Sequence, residues 1–540
     1  MNLQREKSKI SARGDRSSDG QPLQLSVHLL ADLKSNDVLP TDDSYKYNYT
    51  QTNVDVFANN LNCNVRAILS DSNELIERID AGILNTNISS KRCGIILDKT
   101  PFYAESGGQV CDTGYIKVAA ESGEFILLPV TDVQSFGSYV LHTCCLPDSV
   151  KVRSWCLTVG SSVIAVVDNE RKKRIVPNHT ATHILNHVLR KVVAPSVEQR
   201  GSLVSEDKLR FDFSSSHALT NAQLAAVEYQ MNEFIQQGLE VDTKLVPKDV
   251  AVQINGLRTV AGESYPDPVR VVSVGASVDA VIDDPASPKW MDCSIEFCGG
   301  NHVSSSSQLE DFVLTEESAV SKGVRRIAAL TGDSAQCARL RAVELLDRMR
   351  SVQAFDLPQT VLELDNLRNK VVQLSSDMES SVISVLVKND IRAALEGMQK
   401  QLQKARKAAQ LKDTEKVIGE IGIHAGKCAG SKYGVFVLSG DEFSDSSVVK
   451  LVHTEIAKNC PGVPYVLVIR ARSRILCTAS VPQQSNSSRL HAVEWIKHII
   501  GPFGGKGGGK ADAAQGSIKG VDNTDDIAKL AREFATSQLL

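Results

Sequence analysis

Residues 176–192 read VPNHTATHILNHVLRKV and carry His179, His183 and His187 at intervals of four residues in an otherwise apolar stretch. This pattern predicts an α-helix. Because residues i and i+4 lie on the same helix face, His179 and His183 can present two imidazoles to one ion. Each four-residue step drifts by about 40° around the helix axis, so we expect His187 to point away from that ion and to be structural or to support a ligand.

A second pair completes a possible metal site. The stretch EFCGGNHV, residues 296–303, places Cys298 and His302 four residues apart around two glycines. The glycines let the backbone turn tightly, so that a thiolate and an imidazole can converge. An isolated HxxxH pair often arises by chance, but three imidazoles and one thiolate form a tetrahedral set suited to Zn²⁺. The sequence therefore predicts one zinc ion per chain, held by His179, His183, Cys298 and His302.

Composition sets the class of protein. With 540 residues the chain is too long for one hydrophobic core, and its 42% hydrophobic and 23% charged residues are typical of an ordinary globular protein. No apolar run reaches the roughly 20 residues that a membrane helix needs, and no signal peptide is recognisable, so we expect a cytoplasmic protein. The 12 cysteines form no disulfide framework. A net charge of −4 means that a nucleic-acid partner needs local basic patches.

Sequence patterns predict a multidomain α+β protein. Short β-branched runs punctuated by Gly, Pro and Asp predict a β-barrel-like module, and mixed helical and strand-like runs predict an α+β domain after it. Apolar residues at helical spacing then predict long helices that form a helical or coiled-coil arm, before a last α/β module with a glycine-rich loop. The boundaries we predict are 1–60 for a connector, 61–160 for the β-module, 161–330 for the α+β domain, 331–420 for the arm and 421–540 for the last module.

Several long motifs resemble one family. The stretches HTATHIL, QRGSLVSEDKLRFDF, SYPDPVRVVSVG, FCGGNHV and SKGVRRIAALTG follow one another in this order and resemble the editing domain of alanyl-tRNA synthetase, which threonyl-tRNA synthetase shares in outline. Upstream, LDKTPFYAESGGQVCDTGYI resembles a loop of the preceding β-module, and LPTDDSYKYNY resembles a junction in cytosolic eukaryotic members. Downstream, the helical arm and GPFGGKGGGKADAAQGS are similar to the C-terminal domain of the family. The resemblance covers almost the whole chain.

The resemblance implies a zinc-dependent hydrolase that acts on Ser-tRNA(Ala) or Gly-tRNA(Ala), with tRNA(Ala) as partner. Such a hydrolase is needed because a pocket built for alanine cannot exclude glycine and rejects serine poorly. No ATP-binding class II motif is recognisable, and only about 60 residues precede the β-module. We therefore expect the editing and tRNA-binding part alone, with alanine activation and ATP binding requiring a class II core that this chain lacks.

Motif position suggests three catalytic residues. Thr182 lies beside His183 and is placed to bond a serine hydroxyl, and Gln199 matches a family position that faces the editing pocket. Four protein ligands close a zinc site and favour an orienting role for the metal over hydroxide generation. Cys298 is our candidate for a loose ligand that would open the site. The alternatives are that Thr182 bonds its own helix turn and that Gln199 satisfies loop backbone.

Further residues are predicted to bind substrate or tRNA. Gly107, Gly108 and Gln109 resemble a loop that approaches the substrate from the β-module, and Arg325 and Arg326 are candidates for contacts with the terminal adenosine or its phosphate. The alternative for one of the two arginines is an ion pair with an acid.

The glycine-rich stretch GGKGGGK supplies two more candidates, Lys506 and Lys510. Glycine lets backbone N–H groups approach phosphates, although this is not a Walker loop because G-K-[ST] is absent. By resemblance the stretch contacts the outer corner of tRNA; the alternative is a mobile surface loop. A homo-oligomer through the C-terminal region is also possible.

Two other functions remain open at this point. The first is a non-catalytic tRNA-binding or oligomerisation module in which zinc is purely structural. The second is editing of the threonyl type, which is disfavoured because the glycine-rich terminal domain belongs to the alanyl family.

Overall fold

The protein has a mixed α/β, multidomain fold. The computed structural model describes residues 22–48, 60–80, 92–120, 123–146, 155–260, 262–354, 356–428, 430–440, 443, 446–471, 474–482, 489–520 and 523–539. The chain divides into two compact units, the first formed by Met1–Arg348 with Asp377–Arg392 and the second by Met349–Ser376 with Ala393–Leu540.

The first unit begins with helix α1 (Val27–Ser35), whose N-terminus is capped by the Ser26 side chain, and a 3₁₀ turn at Ser44–Tyr47. A closed β-barrel follows. The strands of this region are β1 (Leu61–Leu69), β2 (Leu75–Ile76), β3 (Arg78–Asp80), β4 (Arg92–Leu97), β5 (Gly114–Ala119), β6 (Phe125–Phe136), β7 (Tyr139–Cys145), β8 (Cys156–Thr158) and β9 (Ser162–Val167). Six of them form the barrel, whereas β2 pairs with β1 beside it and β3 and β8 form a separate two-stranded sheet. The order β1-β4-β7-β6-β5-β9 closes because β9 pairs back onto β1. Alternate side chains along these strands point inward and fill the barrel with apolar residues.

The rest of the first unit is an α+β domain built around one buried helix, α2 (Asn169–Val192), in which every residue from Ile175 to Leu189 is buried. Two antiparallel sheets and short helices accompany it. The elements are β10 (Gln199–Val204), β11 (Leu209–Ser214), α3 (Asn221–Gln237), β12 (Val241–Val246), α4 (Lys248–Ala251), β13 (Val269–Val274), α5 (Val278–Asp283), β14 (Ser294–Phe297), β15 (Phe312–Ser321) and β16 (Val324–Thr331). The sheet orders are β10-β11-β16-β15 and β12-β13-β14. A helix that is buried all round lies in the centre of its domain, so the histidines of α2 face protein rather than water.

Three long helices follow, α6 (Gly332–Gln353), α7 (Val361–Ser380) and α8 (Val385–Lys427). Pro358 lies between α6 and α7, and a proline there disfavours one continuous helix because it lacks a backbone N–H. Within the second unit, Arg406 of α8 pairs with Asp365 of α7 at 2.8 Å. No helix of the described residues is long and apolar enough to cross a membrane.

The C-terminal part of the second unit is a five-stranded sheet between helices. Its elements are β17 (Gly434–Ser439), α9 (Ser446–Asn459), β18 (Tyr465–Ala471), β19 (Arg474–Ser480), α10 (Ala492–Ile500), β20 (Lys506–Gly509), β21 (Ala513–Lys519) and α11 (Thr524–Leu539). The sheet order is β17-β18-β19-β21-β20. Apolar cores lie on both faces of this sheet, and Trp495 is fully buried in one of them.

The structure corrects one expectation. Lys506–Gly509 is not part of a loop: it forms the edge strand β20, which pairs with β21. Within the predicted connector, Tyr47 of the 3₁₀ turn donates a hydrogen bond to the carbonyl of Gly299 beside the predicted metal ligands.

Candidate metal centre

The four predicted ligands converge although they come from two distant parts of the chain. His179 and His183 lie on α2, and Cys298 and His302 lie on the turn after β14. The donor atoms of the four side chains all lie within 4.8 Å of one another. Cys298 Sγ is 3.3 Å from His179 Nε2, and the ring centroids of His183 and His302 are 4.5 Å apart. The cluster has the size and composition of a site for one metal ion.

His187 lies outside this cluster, as its position on the helix predicted. Arg258 Nη2 donates to His187 Nδ1 at 2.8 Å. Burial lowers the pKa of His187 to about 3, with the Arg258 charge acting in the same direction. His187 is therefore neutral, and we interpret it as a structural residue.

Burial sets the protonation of the ligands. It lowers the pKa of His183 to about 3 and lowers those of His179 and His302 well below the usual value, with neighbouring charges adding to the effect. The three imidazoles are therefore neutral at pH 7, which is the form that binds metal. Burial also raises the pKa of Cys298 to about 12. A divalent cation among these groups would deprotonate the thiol, because the metal–thiolate bond replaces the proton.

Hydrogen bonds orient the imidazoles for metal binding. His179 Nδ1 donates to Gln109 Oε1 at 2.5 Å, which leaves Nε2 facing Cys298. Thr180 Oγ1 lies 3.1 Å from His302 Nδ1. His302 Nε2 and His183 Nδ1 are buried and have no hydrogen-bond partner among the described residues. Buried polar atoms without partners are rare, and a metal ion would satisfy both. The donor set, three imidazole nitrogens and one sulfur, fits Zn²⁺.

Glu296 is a buried carboxylate behind His183. Its Oε2 lies 3.8 Å from His183 Nε2, and its Oε1 accepts from Asn186 Nδ2 at 2.8 Å. Burial raises its pKa to about 7, although the Arg258 charge opposes this. Glu296 was not among the residues predicted from the sequence, although it immediately precedes the FCGGNHV motif.

Two glycines allow close packing here. A Cβ on Gly300 would lie 2.0 Å from His179 Cε1, so only glycine lets the turn approach that imidazole. Gly108 has a φ of +87°, and a Cβ there would lie 2.2 Å from Ser202 Oγ. The loop containing Gly107 and Gly108 is thus held against β10, where Gly107 O accepts from Ser202 Oγ at 3.2 Å. This contact places the neighbouring Gln109 within hydrogen-bond distance of His179.

Of the two predicted pocket residues, Thr182 bonds its own helix turn, as its alternative interpretation stated, whereas Gln199 bonds the side chain of Ser202. Thr182 Oγ1 donates to the Asn178 carbonyl of its own helix at 2.8 Å. Gln199 Nε2 donates to Ser202 Oγ at 3.2 Å, which is a side-chain contact and not a backbone one.

Both predicted arginines form ion pairs. Arg325 binds both oxygens of Glu317, at 2.6 and 2.5 Å. Arg326 binds both oxygens of Asp212, at 2.7 and 2.8 Å. The ion pair that we raised as the alternative for one of the two arginines is therefore present in both, and each uses its Nε and Nη2 donors for it.

In the second unit, Lys506 and Lys510 are exposed. Lys506 lies opposite Ser517 on β21, and Lys519 lies opposite Arg474 on β19. Directly opposite residues share a face, so Lys506, Lys519 and Arg474 lie on the same side of the sheet. Arg474 and Lys519 were not predicted from the sequence, because only strand pairing places them on the same face as Lys506.

Comparisons with protein families match three parts of the chain. Residues 269–328 match the second additional domain of threonyl and alanyl tRNA synthetases. Residues 432–537 match the DHHA1 domain, and residues 1–171 match the class II (A) tRNA synthetases. The turn that carries Cys298 and His302 thus lies in a synthetase-type second additional domain.

Proteins with similar sequences identify the family within this class of synthetases. The chain is 34% identical to the cytoplasmic alanine–tRNA ligase of Bombyx mori, over 99% of this chain and 54% of that protein. It is 33% identical to that of Drosophila melanogaster, over 98% of this chain and 54% of that protein. A solved C-Ala domain of Aquifex aeolicus alanyl-tRNA synthetase is 21% identical over 19% of this chain and 90% of that domain, with a TM-score of 0.17. The chain belongs to the alanyl-tRNA synthetase family and spans about half the length of these curated relatives.

One expectation is not supported by these matches. We expected the class II part of the family to be absent, but the class II model matches residues 1–171. Within that range the described residues form α1, the 3₁₀ turn and the strands β1–β9, six of which form the barrel.

Proposed function

We propose that this chain hydrolyses tRNA(Ala) that carries serine or glycine, and that the metal centre of the first unit is the site of this reaction. The observation that supports this most strongly is the convergence of four donor atoms within 4.8 Å of one another. Two of the four ligand residues, Cys298 and His302, lie in the range that matches the second additional domain of threonyl and alanyl tRNA synthetases. The four ligand residues lie outside residues 1–171. The proposal is therefore independent of whether the chain also activates alanine.

Two unpartnered atoms beside the ligands support a catalytic site over a purely structural one. Gln109 Nε2 is an amide donor and Asn301 Oδ1 is an amide acceptor, and both are buried without a hydrogen-bond partner among the described residues. An aminoacyl ester presents the complementary groups, a carbonyl oxygen that accepts and an ammonium group that donates. Leaving such atoms unpaired costs about 1–3 kcal/mol each, so a ligand that pairs them is favoured.

The reaction is ester hydrolysis. Water attacks the carbonyl carbon, the bond from that carbon to the ribose oxygen breaks, and the ribose oxygen takes a proton. A zinc ion held by His179, His183, Cys298 and His302 would supply fixed positive charge that orients the substrate. Gln109 Nε2 would donate to the carbonyl oxygen, which gains negative charge as water adds.

Selection of serine would rest on Thr182. Its hydroxyl hydrogen is engaged with the Asn178 carbonyl, so its oxygen remains an acceptor for a serine hydroxyl. Gln199 lies near the same loop through Ser202 and would line the substrate's path. Cys298 would be the ligand that loosens to admit water.

Binding of tRNA would use the exposed cations of the second unit. Lys506, Lys519 and Arg474 share one face of the sheet, and Lys510 follows strand β20. Arg474 and Lys519 are like charges in directly opposite positions, an arrangement that destabilises a sheet unless an anion lies between them. RNA phosphates would provide that anion.

The test is deacylation of Ser-tRNA(Ala) by the full chain. We expect turnover that is lost in Cys298→Ala and His183→Ala, because each removes a ligand, and retained in His217→Ala, whose imidazole is exposed. A native chain that binds tRNA and zinc without turnover would instead establish the tRNA-binding module with structural zinc. Alanine-dependent exchange between ATP and pyrophosphate, measured on the same preparation, reports separately on aminoacylation.

A further inference from the structure

We propose that Arg270 and Tyr47 are positioning residues that lock the turn carrying Cys298 and thereby set how tightly the metal is held. We call this pair the Arg270–Tyr47 latch. The inference rests on the metal site of the proposed function. It concerns two residues that are not ligands, one of them from a segment far upstream.

Arg270, on strand β13, holds two carbonyls of the turn. Its Nη1 donates to the Cys298 carbonyl at 3.0 Å and to the Gly300 carbonyl at 2.8 Å. The Arg270 carbonyl in turn accepts from the backbone N–H of Cys298 at 3.1 Å. A planar guanidinium binds two acceptors with a fixed geometry, so it fixes the spacing of residues 298 and 300.

Tyr47 holds the carbonyl between them. Its hydroxyl donates to Gly299 O at 3.1 Å, and its ring lies 4.3 Å from the guanidinium carbon of Arg270. The ring therefore makes a cation–π contact with the same group that holds the neighbouring carbonyls. Together the two side chains engage all three carbonyls of Cys298, Gly299 and Gly300.

The segment that carries Tyr47 is itself anchored. The carbonyl of Lys46 accepts from Asn301 Nδ2 at 2.7 Å and from Lys172 Nζ at 3.3 Å. Lys172 also forms a buried ion pair with Asp112 at 2.8 Å. The 3₁₀ turn is thus tied both to helix α2 and to the metal turn, which makes it a rigid support for the Tyr47 ring.

The position of this turn determines the position of the sulfur. Gly300 N–H donates to Cys298 Sγ at 3.3 Å, so a shift of the turn would remove both this hydrogen bond and the alignment with the three imidazoles. Residues that hold metal ligands in place typically affect metal affinity by about 10–100-fold when they are replaced. We therefore expect the latch to act on metal retention, in addition to any effect on hydrolysis.

The experiment measures zinc release from the full-length, zinc-loaded chain to a colorimetric chelator. Arg270→Met removes the donors and the cation, and we expect roughly 10–100-fold faster release. Tyr47→Leu removes the hydroxyl and the ring, and Tyr47→Phe removes the hydroxyl alone, so release should be fastest in Arg270→Met and slowest in Tyr47→Phe. Tyr45→Leu is the matched control, since Tyr45 lies on the same 3₁₀ turn with its ring 5.6 Å from Lys99 Nζ.

Cobalt substitution provides a second readout. The sulfur-to-cobalt charge-transfer band should lose intensity in Tyr47→Leu and keep it in Tyr45→Leu. Tyr47 is 36% exposed, so its replacement should leave the folded state populated, and this variant decides the question if Arg270→Met unfolds.

The outcomes separate the two proposals. A native chain that binds no zinc would overturn the metal centre and the proposed function with it. A native chain that binds zinc, with Tyr47→Leu and Tyr47→Phe releasing it at the rate of native and Tyr45→Leu protein, would overturn the latch alone.

Discussion

The metal centre and the glycine-rich edge of the C-terminal sheet both combine glycines with polar side chains, yet the glycines serve different ends. At the metal centre, Gly300 lets a turn approach a buried imidazole. At the sheet edge, Gly505, Gly507 and Gly509 let strand β20 pack against Ile500 and β21, while the lysines beside them remain exposed. The polar side chains of the metal centre are therefore largely buried, whereas the lysines of the sheet edge are exposed to solvent.

The comparison shows why a glycine-rich motif is ambiguous in a sequence. Glycine permits close approach of backbone or side chains, but the sequence does not say what approaches. In the first region the neighbour is His179, a candidate metal ligand. In the second it is the sheet itself, so the motif GGKGGGK forms a strand where we expected a phosphate-binding loop.

The largest effect that we expect is a loss of zinc affinity at the metal centre. Gly300→Ala places a Cβ 2.0 Å from His179 Cε1, so the imidazole or the turn must move. We expect zinc affinity to fall by roughly 100-fold, measured by competition with a chelator of known affinity. Gly299→Ala is the matched control, because its Cβ would have only Tyr47 Oη nearby, at 3.9 Å. Equal zinc affinity in both variants would contradict the close approach that defines the centre.

An intermediate effect tests the second region. Gly507→Ala places a Cβ 2.6 Å from the Gln515 carbonyl, whereas a Cβ on Gly508 meets nothing within 4 Å. We expect Gly507→Ala to destabilise the pairing of β20 with β21 by about 1–3 kcal/mol and Gly508→Ala to be nearly neutral. Amide hydrogen exchange of β21, read by mass spectrometry, measures this locally. Faster exchange in Gly508→Ala than in Gly507→Ala would show that the edge is not packed in this way.

The smallest effect that we expect is a weakening of tRNA binding by the exposed lysines of the sheet edge. Replacing Lys506 and Lys510 together with glutamine should weaken tRNA binding by roughly three- to tenfold and reduce the slope of log affinity against log salt by about 2, with the melting temperature unchanged. Fluorescence anisotropy with labelled tRNA at several salt concentrations measures both quantities. The double variant of Lys400 and Lys404, two exposed lysines on α8, controls for net charge. If both double variants weaken binding equally, the edge has no specific role.

The convergence of the four candidate ligands was largely predictable because these residues have distinctive chemistry and spacing. Two histidines four residues apart on a helix, and a cysteine and histidine flanking two glycines, identify a possible zinc set without knowledge of the fold. Helix geometry also predicted that His187 is not a ligand. The hydrogen bond from Arg258 to His187 agrees with this prediction.

The supporting residues were not predictable. Arg270 lay within a quoted motif and Tyr47 within a stretch interpreted as a connector, but neither residue type signals a role in holding a metal turn. Their function depends on contacts between segments far apart in sequence, such as the one from Tyr47 Oη to Gly299 O. The ion pairs of Arg325 and Arg326 were uncertain for the same reason.

The sequence by itself determined which residues can bind a metal, the helical face that pairs His179 with His183, and the family to which the chain belongs, since these depend on residue type and local spacing. Only the tertiary structure decided that Cys298 and His302 meet that helix, that Gln109 orients His179, and that the glycine-rich stretch is a strand. The physical reason is that convergence, burial and strand pairing arise from contacts between distant segments, which local spacing does not encode.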